Sequence, residues 1–270
     1  MIRPSEAFRQ ALEAEAGRTG LSPQALLAAL EDKPATASPA TLYVSAPVNA
    51  LVEGIYREDT TVADVLRHGD MGLGTFNDLD GEMVVIDGEV HQLRSDGEAY
   101  AVSPETRTPF AAVTFFRPYS EEHIRQRLDH AGFLALLDRL IPSRNMLYAL
   151  RVEGRFASVR TRSVPRQDAY RPLVEVAREQ PEFDFADVDG TMVGFWTPSF
   201  LSSVAVPGYH LHFLTQDRRH GGHLLECAPV DIRISLQHVP QMALGLPMTL
   251  DYLTAEFGRD TQRDLDEAEH

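Results

Sequence analysis

The sequence holds a single cysteine, Cys227, among 270 residues, so no disulfide can form within the chain and no cysteine-rich zinc site can be built. Any metal must therefore be held by His, Asp or Glu. There is also no uninterrupted apolar run of the roughly 18 residues that a membrane helix requires, because charged or polar side chains break every hydrophobic stretch. Near the N-terminus Glu6, Glu13 and Glu15 stand where a secretory signal would need an apolar segment, which makes a cytoplasmic location the expectation. Lys and Arg number 25 against 40 Asp and Glu, for a formal charge of -15, and no basic run offsets it. Such a surface repels polyanions, so neither nucleic acid nor a membrane is an expected partner. A small anionic substrate can still be held by one local arginine. No fixed-period repeat is present. What the chain does have is 43% hydrophobic residues, enough at this length for a substantial core.

Residues 1–40 read as a helical extension and linker, with helical apolar spacing from Ser5 to Gly17 and from Ser22 to Glu31, then the Pro/Ala/Ser stretch KPATASPA. From Leu42 the pattern changes to short strands. In EMVVIDGEVHQLRSDGEAYAVS the pairs Asp87-Gly88 and Asp96-Gly97 signal hairpins of an antiparallel meander, and PFAAVTFFRP follows as a buried strand. Ser120 is positioned to cap a long helix running through Glu121 and Glu122 toward Leu140, which would close a first unit spanning 41–142. The second unit, 143–270, offers strands in MLYALRVEG, FASVRTRSV, TMVGFWT, GYHLHFLT and HLLECAPVDIRISL, and one helix around PLVEVAREQ. Its last residues, RDTQRDLDEAEH, form a charged tail without a core pattern. The expected class is α/β in the α+β sense: two strand-rich units with mixed and antiparallel sheets.

Four of the ten histidines fall in PGYHLHFLTQDRRHGGHLLE. Alternate side chains of a strand share a face, so His210 and His212 project together while Leu211 and Phe213 enter the opposite side. The turn QDRRHGG then returns the chain and brings His223 beside them. Three neutral imidazoles with an open position form a catalytic rather than a structural zinc site. His220 competes for the third place but sits inside the Arg-rich turn, whereas His223 lies on the returning strand. A cupin-like metal dioxygenase would add Glu226 to the HxH pair, although the glycine spacing of a cupin is absent. The bland alternative is a hairpin with surface histidines.

GYHLHFLTQDRRHGGHLLE resembles the metal-binding segment of the alpha-acetolactate decarboxylase family. The resemblance extends over TLYVSAPVNALVEGIY, HGDMGLGTFNDLDGEMVVIDGEVHQL, TPFAAVTFF, FASVRTRSVPRQDAYRPL and GTMVGFWTPSFLSSVAVPG, covering residues 41 to 240 in order. It implies zinc ligands at His210, His212 and His223, an active-site arginine at Arg162, a first glutamate at Glu82 and a pocket-lining hydroxyl at Thr75. A second glutamate falls on Glu269, with Glu267 as its alternative. The resemblance further implies a zinc pocket between mixed sheets and a homodimer.

The implied reaction is decarboxylation of 2-acetolactate to acetoin. Loss of carbon dioxide leaves electron density on the ketone side of the substrate, and zinc can accept it as a Lewis acid by stabilising an enediolate without an organic cofactor. Arg162 would hold the carboxylate in its planar fork. Glu82 and Glu269 would form a carboxyl pair for the proton returned to carbon. The competing classes are the metal dioxygenase and a non-catalytic binding module for a small acid.

Overall fold

The computed structural model describes residues 40–169 and 171–258, with isolated positions nearer each end. Of the N-terminal extension only scattered residues are described, among them Glu13, Ala16, Gly17, Pro23 and Ala25, which are helical; most of the two expected helices lies outside the described residues. The described helices are α1 (Val48–Val52), α2 (Val62–Leu66), α3 (His130–Leu140), α4 (Leu173–Ala177) and α5 (Leu250–Thr254). None of the helices among the described residues is long and apolar enough to cross a membrane.

The strands are β1 (Thr41–Val44), β2 (Met71–Thr75), β3 (Glu82–Ile86), β4 (Glu89–Leu93), β5 (Ala99–Ala101), β6 (Ala111–Thr114), β7 (Ser120–Ile124), β8 (Leu147–Arg162), β9 (Glu182–Thr197), β10 (Gly208–Thr215), β11 (Gly221–Val239) and β12 (Gln241–Leu244). They build a seven-stranded mixed sheet, ordered β12-β1-β6-β2-β3-β4-β5, and a five-stranded antiparallel sheet, ordered β10-β9-β8-β11-β7. The two sheets exchange strands across position 142: β7 joins the second sheet, and β12 lies parallel to β1 in the first.

Strand β3 shows how the layers arise. Val84 and Ile86 enter the core between the sheets, while Met83 and Val85 on the other face pack with Val62 and Val65 of α2, so all five positions are buried. The hairpin from β3 to β4 turns at Asp87 and Gly88, both with positive φ, the backbone that makes Asp-Gly a hairpin signal. Helix α2 starts at Thr61, whose hydroxyl accepts from the Asp64 amide while the Asp64 carboxylate accepts from the Thr61 amide.

Two expectations are corrected. Ser120, Glu121 and Glu122 do not open a helix: they lie in β7, an edge strand pairing with β11, and the helix begins at His130 with Asp129 accepting from the Gly132 amide. Exposed acidic residues suit a sheet edge as well as a first helical turn. MLYALRVEG and FASVRTRSV are one strand of 16 residues, β8, which carries Gly154 in a positive-φ conformation. The acidic tail could fray or fold back by its sequence, and of its described residues Leu265 and Ala268 are buried in the cluster between the sheets.

A short pairing of β10 with β11 adds to the second sheet and closes β8, β9, β10 and β11 into a ring at one end. The approach of β9 to β10 demands glycine at 194, because a Cβ there would lie 1.9 Å from the His210 carbonyl oxygen. Leu211 and Phe213 pack under α3 with Phe133 and Leu137. Leu214 joins the core between the sheets, as do Val193 and Phe195.

Candidate metal centre

The β10–β11 pairing sets His212 directly opposite His223, and β8 places Arg162 opposite His223 on its other side. With His210 two residues before His212, three imidazoles meet beside one arginine. All three histidines are buried, their ring centroids are 5.0, 5.1 and 5.4 Å apart, and one nitrogen from each lies within 4.8 Å of the others.

The first sheet supplies the opposite wall. His212 Nδ1 donates to the Met83 carbonyl in β3 at 2.8 Å, which leaves Nε2 as the unprotonated nitrogen turned into the pocket. Burial, then the neighbouring His210 and Arg162, hold the His212 pKa well below the usual imidazole range. That Nε2 is buried without a hydrogen-bond partner among the described residues, 3.6 Å from a Glu82 carboxylate oxygen. A lone pair facing a carboxylate in a buried site is a position that a cation satisfies. The set of three imidazole nitrogen donors next to a carboxylate therefore fits a divalent metal.

Glu82 is pinned from behind, its Oε1 accepting from the Val164 amide at 3.2 Å. Thr75 sits opposite Glu82 across β2 and β3, buried, with its hydroxyl donating to the Gly81 carbonyl at 2.7 Å. Arg162 donates to the Ala268 carbonyl at 2.5 Å, a link between the site and the C-terminal tail. Glu267 and Glu269, the expected second carboxyl, lie outside the described residues.

Other candidates stand apart. His220 Nδ1 donates to the Gly97 carbonyl at 3.0 Å, so its ring is committed to the β4–β5 turn. Glu226 is exposed and paired with Arg160 at 2.8 Å, so the cupin-like ligand set does not assemble.

The pocket spans about 520 Å³ of space between atoms, part of it open to solvent. Besides the polar groups it is lined by Val48, Leu51, Leu79, Phe110, Val164 and Leu173, and by Gln180. The apolar set was missed from the sequence because an apolar side chain facing a ligand carries the same signal as one facing core. Met83 was missed because it contributes only its carbonyl.

Fold and site together define a two-sheet α+β protein with a three-histidine metal-binding pocket between its sheets. The profile described as alpha-acetolactate decarboxylase matches residues 42–259, and the chain belongs to this family. It is 42% identical over 230 residues to the alpha-acetolactate decarboxylase of Methylococcus capsulatus, covering 85% of this chain and 88% of that one. Identity to the Bacillus licheniformis alpha-acetolactate decarboxylase is 41% over 219 residues, with 81% and 87% covered. The crystal structure of alpha-acetolactate decarboxylase from Bacillus subtilis strain 168 superposes with a TM-score of 0.82 at 38% identity, covering 85% of this chain and 99% of that one.

Proposed function

We propose that this chain decarboxylates 2-acetolactate to acetoin at a zinc ion held by His210, His212 and His223. The observation that carries the reading is the convergence of three buried imidazoles with Arg162 and Glu82 in one pocket of a member of this family.

A bound zinc supplies Lewis acidity toward the substrate's ketone and hydroxyl oxygens, a role that needs no redox chemistry. The chain's own residues do the rest. Arg162 anchors the carboxylate with two parallel hydrogen bonds and so fixes the breaking bond relative to the ketone. Its place beside the histidines adds positive charge where the anion must sit. Glu82 and Glu269 handle the proton that replaces carbon dioxide. Thr75 lines the same pocket and can accept a hydrogen bond from the substrate hydroxyl. The apolar wall excludes water, which strengthens each of these interactions.

The protein works as a homodimer in the cytoplasm. The edge strand β12 and the segment after it expose Leu244, Leu246, Met248, Leu250 and Leu253, an apolar stripe of the kind that marks a protein contact. Cys227 is a free, buried thiol, in keeping with a reducing compartment.

Purified, metal-analysed protein incubated with racemic acetolactate should release carbon dioxide and form acetoin without consuming oxygen. Oxygen uptake would favour the dioxygenase, and binding without acetoin a non-catalytic module.

A further inference from the structure

Between β2 and β3 the chain makes a short turn, Asn77–Leu79, in which two successive residues adopt left-handed backbone: Asp78 at φ 65° and Leu79 at φ 53°. Asp tolerates this conformation; for Leu it is costly, and glycine at 79 would relieve it. The turn is held from several sides. The Asp78 amide donates to the Tyr56 carbonyl at 2.8 Å, and its carbonyl accepts from the Gln167 amide at 2.7 Å. Its carboxylate pairs with Arg166 at 3.0 Å and with Arg57. The Asn77 side chain donates to the Glu58 carbonyl at 2.9 Å and accepts from the Glu58 amide at 3.1 Å.

What this clamp holds in place is the Leu79 side chain, 1% exposed and lining the pocket among Val48, Leu51, Phe110, Val164 and Leu173. Strain kept by surrounding structure at the wall of a site points from the outlier to a role for the side chain. On the decarboxylase reading above, the carboxylate, hydroxyl and ketone of the substrate are taken by Arg162 and the metal. Two alkyl groups remain, the methyl of the acetyl group and the substituent on the hydroxyl-bearing carbon, and an apolar wall is the chemistry that receives them.

We propose that Leu79 sets the size of the alkyl substituent that the pocket accepts, with Asp78 as the positioning residue that holds it there. The class of ligand is a 2-alkyl-2-hydroxy acid with an oxygen on the next carbon, and the wall discriminates a methyl from an ethyl group.

The test uses full-length, zinc-loaded protein and two acids that lack the ketone and so cannot decarboxylate: 2,3-dihydroxy-2-methylbutanoate and its 2-ethyl homologue. Calorimetry gives the ratio of their affinities. A single methylene in an apolar pocket changes affinity by roughly 10-fold or more, so Leu79→Ala should move the ratio toward the ethyl acid by about that factor. Leu79→Gly, which also releases the backbone, should do the same and serves if the Ala variant does not fold. Asp78→Ala should shift the ratio in the same direction without touching the ligand. Equal changes for both acids in the Leu79 variants, or an unchanged ratio, would overturn the proposal. A wild-type protein that discriminates between the two acids yet forms no acetoin from acetolactate would overturn the decarboxylase reading and leave the wall standing.

Discussion

His212 on the second sheet donates its Nδ1–H to the Met83 carbonyl on the first at 2.8 Å, so one hydrogen bond across the sheet interface decides which imidazole nitrogen faces the pocket. Met83 has its side chain in the outer core with Val62 and Val65. The sheets thus orient the ring of a residue that could hold a metal.

Replacing His210, His212 or His223 by Ala is expected to remove most bound metal while leaving a soluble fold. His220→Ala should remain metal-replete, because that ring serves the Gly97 carbonyl. Elemental analysis of the purified variants checks both. A metal-free His220→Ala protein beside a metal-replete His223→Ala protein would reverse the assignment.

Why the histidine site was legible in the sequence is a matter of period. His210 and His212 share a face because strands repeat every two residues, and His223 returns through a turn too short to take it elsewhere. The hairpin at Asp87 and Gly88 was legible for a similar local reason, since both residues tolerate positive φ. Long-range pairings left no such trace. Nothing in QMAL announces that β12 will lie parallel to β1, some 200 positions earlier. Glu121 and Glu122 fit a first helical turn as well as a strand edge, and only the β11 partner decides between them. Leu265 is one apolar residue in an acidic tail, and its burial depends on a groove assembled by both sheets.

Arg162→Lys keeps the charge and loses the two-pronged geometry. Turnover or substrate affinity should fall about 10-fold or more, corresponding to about 1.4 kcal/mol of transition-state stabilisation. Metal content should be unchanged. Steady-state kinetics beside metal analysis separates the two effects, and unaltered kinetics would place the carboxylate anchor on another residue.

Leu265→Ala tests whether the tail belongs to the fold. A fully buried leucine truncated to alanine costs about 2–5 kcal/mol, and the Ala268 carbonyl three residues on accepts from Arg162. Denaturant unfolding should show a loss in that range, and turnover should drop with bound metal retained. An unchanged midpoint would make the tail a solvated end.

Glu58 gives a pH dependence away from the metal. Burial, with Asp59 and Asp251 nearby, pushes its carboxyl up to about 7 against the pull of a hydrogen bond from the Thr249 hydroxyl. The folded chain holds this proton more tightly than the unfolded one. Its contribution to stability is therefore complete below the ordinary value of 4.5 and is lost as pH rises to about 7. Chemical unfolding of wild type and Glu58→Gln between pH 5 and 8 should show the steeper decline in wild type. Identical slopes would contradict this.

A zinc titration of metal-stripped protein tests most directly whether decarboxylation depends on one metal ion held by the three histidines. Acetoin formation from acetolactate should be lost on stripping, return in proportion to added zinc, and level off at one equivalent per chain. Full turnover in protein shown by elemental analysis to contain no metal would contradict it.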